Sequence, residues 1–355
     1  MAEAQPRGVP DFTPVNLITG FLGSGKTTLL KRILMSPAFG DTAVLINEFG
    51  EIGLDHVLVE RIDDSMVLLQ SGCLCCTIRG ELAEAIRRLD ERRASGAIPP
   101  YRRLMIESTG LADPLPILTT VTSDPVLRHH YRLGLVITTV DAVNGMSQLD
   151  RQPESRKQAA VADRLVVTKT DLAPSRVVEA LVARLRRINP SATMPRSIDE
   201  TFDCEDLIGG DLFDLAAKTR EVRRWFEEET EQIASGDREH GHTHAHDPNR
   251  HGDDIRAFHL IFDRAIDWTA FGLWLSLMLH RHGEAILRVK GLLAIEGEPA
   301  PVAVHGVQQL VHPPVHLAAW PSPDRRTRIV FIGKSLDETA VRRSFEAFVL
   351  KRAAT

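Results

Sequence analysis

The sequence predicts an α/β fold, a mostly parallel sheet with flanking helices, followed by a small α+β domain. From residue 15 onward, short β-branched runs alternate with longer amphipathic segments, the pattern of strands joined by crossover helices. The first run ends in a glycine-rich turn, "GFLGSGKTTLL", that opens directly into a helix. Residues 234–254, "ASGDREHGHTHAHDPNRHGDD", carry almost no apolar side chain and separate this region from a second set of strands and helices.

In chain order, the apolar β-rich runs predict strands at Val15–Thr19, Ala43–Asn47, Met66–Leu69, Arg103–Glu107, Leu133–Val140 and Arg164–Thr168. Helical periodicity predicts Lys26–Met35, Arg79–Ser95, Glu154–Ala162, Pro174–Ile188 and Leu212–Ile233 between and after them. Beyond the polar segment come a strand at Ala257–Phe262, a helix at Trp268–His282, strands at Leu292–Glu296, Val302–Val307 and Arg328–Ile332, and a helix at Asp337–Lys351. The expected organisation is a nucleotide-binding domain over 1–233, a His-rich linker over 234–254 and an α+β domain over 255–355. No internal repeat is evident.

Composition narrows the function classes. Of the 355 residues, 43% are hydrophobic and 26% charged, as in ordinary globular proteins. A formal charge of −5 gives no electrostatic reason to expect nucleic acid or an anionic membrane as partner. The N-terminus "MAEAQPRGVPDF" lacks the apolar run of a secretory signal, and Phe271–Leu279 is too short to cross a bilayer, which takes ~20 apolar residues. Three of the four cysteines lie within four positions, too bunched to staple distant parts of a domain. The expected location is cytoplasmic, in a reducing setting where clustered cysteines mean metal or catalysis.

Gly20 to Thr27 have the spacing and context of a Walker A phosphate loop. Gly20, Gly23 and Gly25 let the backbone curl so that successive N–H groups face phosphates at a helix N-terminus. Lys26 reaches the β- and γ-phosphates, and the Thr27 hydroxyl completes a Mg²⁺ shell. The strand "LMIES" ends in Glu107, the leading Walker B-type carboxylate for Mg²⁺, directly or through a water. At a third strand end, "TKTDL", the Asp171 carboxylate accepts from guanine N1 and N2, donors that adenine does not pair. That favours GTP, with the Lys169 stem against the base. Thr168 stands where this motif usually has Asn.

"GCLCC" places Cys73, Cys75 and Cys76 together. Thiolates suit Zn²⁺, Cu⁺ and Co²⁺, and a closed structural zinc site takes four ligands. Three ligands with no second Cys or His pair make an incompletely enclosed site, which is what a carrier requires. The competing reading is redox: Cys75 and Cys76 as a vicinal disulfide, strained because adjacent Cα atoms lie ~3.8 Å apart. Cys204 is isolated and expected to be a bystander. His240, His242, His244 and His246 alternate through "HGHTHAH" and form an auxiliary metal-capture candidate, against a bland polar linker. No nucleophilic triad is evident.

With GFLGSGKTTLL, NEFGEIGLD, GCLCC, ESTGLADP and TKTDL in that order, the chain resembles the CobW-like branch of the P-loop GTPases that handle metals. Accessory GTPases of urease and hydrogenase maturation are relatives. "RVKGLLAIEGEPAPVAVHGVQQLV" and "RIVFIGK" resemble the CobW C-terminal domain, so the likeness covers about residues 15 to 350. It implies a P-loop NTPase sheet and a GTP-hydrolysing metal chaperone that binds zinc at the Cys-x-Cys-Cys motif and delivers it to an apo metalloprotein. Position by position, it implies a phosphate site at Gly23, Ser24, Gly25, Lys26, Thr27 and Thr28, a guanine site at Thr168, Lys169 and Asp171, and a metal site at Cys73, Cys75 and Cys76. Lys26, Thr27 and Glu107 are then the catalytic set. The chain departs from some members at Ile46, where they carry an acidic residue; Glu48 and Glu51 are the alternatives here. Cobalt delivery, and a nucleotide-regulated metal buffer or sensor, stay open beside this reading. The client and the oligomeric state are not readable.

Overall fold

The computed structural model describes residues 12–46, 66–68, 78–195, 204–208 and 255–350. The predicted helix Leu212–Ile233, the linker 234–254, and the motif residues Glu48, Glu51, Cys73, Cys75, Cys76, His240, His242, His244 and His246 lie outside the described residues.

The first sheet comprises β1 (Thr13–Gly20), β2 (Thr42–Ile46), β3 (Met66–Leu68), β4 (Arg103–Glu107), β5 (Tyr131–Asp141) and β6 (Arg164–Thr168). Its order is β3-β2-β4-β1-β5-β6, and every pairing is parallel. Strands buried on both faces suit such a sheet, and β2, β5 and β6 are buried almost throughout. One face packs on α1 (Lys26–Met35), through Leu29, Leu30 and Ile33, and on the short helix Cys204–Ile208. Cys204 is buried in that apolar cluster. The other face carries α2 (Ile78–Ala94), α3 (Pro114–Ser123), α4 (Gly145–Arg151), α5 (Pro153–Val161) and α6 (Ser175–Ile188).

α3 and α4 were not expected from the sequence. The α3 stretch is rich in Thr and Val, which favour strands in isolation. In the fold, the Asp113 side chain caps the helix by accepting from Leu115 N, Pro114 stands in the first turn, and Thr120 Oγ1 returns a bond of 2.8 Å to Pro116 O.

The second sheet is antiparallel: β7 (Ile255–Phe262), β8 (Ile286–Leu293), β9 (Val302–Val307), β10 (Leu310–Val311), β11 (Val315–His316) and β12 (Thr327–Lys334), with β10-β9-β8-β12-β7 in order and β11 beside β9. Helices α7 (Trp268–His282) and α8 (Glu338–Phe345) cover one face with an aromatic cluster, in which Phe345 stacks on Phe262 at 4.5 Å and meets the edge of Trp274 at 4.9 Å. The opposite face, through Leu292, Ala303, Val307, Val330 and Ile332, joins the core of the first sheet. β8 begins earlier than the expected Leu292 because Arg288 and Lys290, charged residues that look exposed in sequence, are buried in that junction. Among the described residues no helix is long and apolar enough to cross a membrane.

Candidate nucleotide site

β1 delivers the chain into the phosphate loop between β4 and β5, so three strand ends converge on it. Gly20 has φ 143°, and a Cβ there would lie 2.4 Å from Thr139 Oγ1. Gly23 and Gly25 follow at φ 70° and 90°, winding the loop into the head of α1. Lys26 is buried, with Nζ donating to Phe21 O at 3.3 Å across the loop. Ser24 Oγ shares a hydrogen bond of 2.7 Å with Thr139 Oγ1. Thr28 is exposed on the outer side of α1.

Thr27 Oγ1 donates to Glu107 Oε1 at 2.6 Å, joining the first turn of α1 to the end of β4. Glu107 is fully buried. A hydroxyl and a carboxylate brought together at a helix N-terminus are the hard oxygen donors that Mg²⁺ takes, so these residues fit that ion. The loop after Glu107 lies against the phosphate loop: a Cβ on Gly110 would come within 2.6 Å of Leu22 N, so only glycine allows this approach.

The end of β6 is tied to the same place. Thr168 Oγ1 donates to Ser24 O at 2.7 Å, 144 residues away in sequence, so the threonine in the usual Asn position braces the phosphate loop. Lys169 adopts a left-handed conformation, φ 56°, sparsely populated for a residue with a side chain. Its Nζ donates to Asp141 Oδ2 at 2.8 Å. Asp141, at the end of β5, is the residue that sequence reasoning missed. Burial alone would raise its carboxyl; bonds from Lys169, Asn144 and Val143 more than offset this and hold it below the ordinary carboxylate range. A strand ending "TTVD" ahead of a lysine-bearing strand end was the available signal. Asp171 itself is exposed at the rim, and Asp171→Asn, which replaces a double acceptor by an acceptor and a donor, should lower kcat/KM for GTP about 100-fold or more and raise that for XTP. Steady-state kinetics with both nucleotides check it.

The described residues thus bring together Lys26, Thr27, Glu107, Thr168 and Lys169. They hold no group of three or more His, Cys, Asp or Glu able to bind a metal ion.

Parallel sheet, phosphate loop, strand-end carboxylate and guanine-type loop together define a P-loop GTPase. Residues 14–196 match the family described as "CobW/HypB/UreG, nucleotide-binding domain" and residues 255–349 match "Cobalamin synthesis protein cobW C-terminal domain". The chain belongs to the CobW/HypB/UreG family. It is 34% identical over 335 residues to the zinc chaperone YjiA of Escherichia coli, covering 93% of this chain and 97% of that one. It is 28% identical to the zinc chaperone CobW of Pseudomonas aeruginosa, covering 96% and 93%. Zinc-regulated GTPase metalloprotein activator 1 of Dictyostelium discoideum is also 28% identical, over 61% of this chain and 52% of its own length. The crystal structure of Zn(II)-bound YjiA GTPase from E. coli is similar with a TM-score of 0.65 and 27% identity, over 95% of this chain and 99% of that one.

Proposed function

We propose that this GTPase is a zinc chaperone that holds Zn²⁺ on Cys73, Cys75 and Cys76 and passes it to an apo metalloprotein as GTP is hydrolysed. One observation carries the link between thiols and nucleotide. Leu68, the last residue of β3, pairs with Ile46, which in turn pairs with Glu107, so β3 ends two strands from the acidic strand end and on the same edge. Adjacent strands are ~4.8 Å apart, and Cys73 follows Leu68 by five residues, a reach of roughly 17 Å. The chain must also return to Ile78 at the start of α2. A thiol loop tethered at that sheet edge supports a link to the phosphate site. The names of the two full-length relatives support the zinc assignment.

In this reading, Lys26 and the backbone N–H groups of 23–28 neutralise and orient the triphosphate, Thr27 and Glu107 hold Mg²⁺, and Thr168, Lys169 and Asp171 select guanine. Bound Mg²⁺ supplies charge stabilisation for the transferring phosphoryl group. His240, His242, His244 and His246 act as accessory zinc collectors.

The test is single turnover of the zinc-loaded, GTP-bound full chain, with a chromogenic zinc chelator or a purified apo metalloprotein as acceptor. Zinc should reach the acceptor in step with phosphate release and stay bound with a non-hydrolysable analogue. Equal release under both conditions would reduce the protein to a buffer or sensor. Parallel loading with Co²⁺ compares the two cargoes.

A further inference from the structure

We propose that α5 is a mechanical link by which the C-terminal sheet sets the position of the loop following Glu107, with Gln158 and Arg288 as the positioning residues at its two ends. The proposal rests on the assignment of that loop to the phosphate site.

At the nucleotide end, Gln158 is buried and its Nε2 donates to both Gly110 O and Ala112 O, each at 3.1 Å. The neighbouring Lys157 pairs with Asp113, the N-cap of α3, at 2.6 Å. One helix therefore grips the 110–113 loop at three points, and Gly110 is the residue packed directly on the phosphate-loop backbone at Leu22. Gln158 Oε1 is itself buried and makes no hydrogen bond among the described residues. Burying an amide with half its capacity unused is unfavourable where an apolar side chain would pack as well. Its two donor bonds are the feature that distinguishes it.

At the other end, Arg288 on β8 enters the first sheet's core. One guanidinium nitrogen donates to Val161 O, the last residue of α5, and the other pairs with the Asp163 carboxylate. Both side chains are almost wholly buried. Asp163 Oδ2 also accepts from Val136 N at 2.9 Å in the middle of β5, and Asp163 N donates to Val136 O at 2.7 Å. β5 is fastened to α5 again where Thr138 Oγ1 donates to Gln158 O at 2.9 Å. A buried ion pair is rarely better for stability than matched apolar residues, but it fixes one geometry. Here that geometry locks the C-terminal sheet to the helix holding the Gly110 loop. A displacement of the C-terminal sheet then moves α5 and with it the loop packed on Leu22 of the phosphate loop.

Amide hydrogen exchange on the nucleotide-free full chain tests the link without turnover. Gln158→Met keeps length and removes the donors; Arg288→Lys keeps the charge and removes one arm. Each should speed exchange at 109–113 about 3- to 10-fold, with the double variant no faster than the faster single. In steady state each should lower kcat for GTP about 3- to 10-fold and leave KM within about twofold. If Arg288→Lys fails to fold, Asp163→Asn, which keeps the shape and removes the charge that Arg288 pairs with, carries both measurements at that end. Unchanged exchange at 109–113 would overturn the link and leave the GTPase site standing. Faster exchange with unchanged kcat would overturn the loop's role in hydrolysis, and with it the positioning role.

Discussion

Lys26→Met should lower kcat for GTP about 100- to 1,000-fold, the effect of removing one preorganised charge from a developing anion. Methionine keeps the length and the apolar stem. What is lost is the ammonium at the head of α1, where Nζ crosses the loop to Phe21 O at 3.3 Å. The glycine geometry of the loop and the Thr168 brace to Ser24 O do not depend on that charge, so nucleotide should still bind, with weaker affinity. The measurement is phosphate release under saturating GTP, beside nucleotide affinity from fluorescent GDP. A loss of less than about threefold would remove Lys26 from the reacting phosphates.

Cys75→Ala should weaken zinc binding at the high-affinity site by more than about 100-fold, because even partners outside a metal's own ligands are commonly worth 10- to 100-fold. Each thiol must lose a proton to ligate, so below the ordinary cysteine pKa of about 8.5 the slope of log affinity against pH approaches ~3 for three thiols and ~2 for two. GTP turnover without zinc should be unaffected. Weak zinc binding that persists in the variant should vanish when residues 240–246 are deleted. Isothermal titration against a competing chelator between pH 6 and 8, below the ordinary thiol pKa of about 8.5, checks affinity and slope together. An unchanged high-affinity site would exclude Cys75 as a ligand.

The phosphate-site residues are legible in sequence because backbone chemistry dictates their types. A curled loop needs glycine, a phosphate loop calls for a lysine at the helix head, and a strand-end carboxylate follows an apolar run, so Lys26, Thr27 and Glu107 stand out as candidates before any fold is known. Asp141 did not stand out because its role depends on Lys169, which reaches it only once β5 and β6 pair. α3 was hidden because threonine and valine prefer strands locally, and packing on the sheet overrides that preference. The start of β8 was hidden for a related reason: Arg288 and Lys290 look solvent-facing until Asp163 and Ser191 O are placed beside them. For Asp141 and for the start of β8 the deciding partner is distant in sequence. The short helix α4, ahead of α5, likewise forms in a stretch whose seven residues give little periodicity of their own.

Nucleotide control of the thiol site is decided by zinc affinity, from chelator competition, in three states: with a non-hydrolysable GTP analogue and Mg²⁺, with GDP and Mg²⁺, and without nucleotide. Under such control binding should be tightest in the GTP-analogue state and weaker with GDP, by about 5- to 150-fold, the usual span of coupling between two sites. Equal affinity in all three states would contradict it.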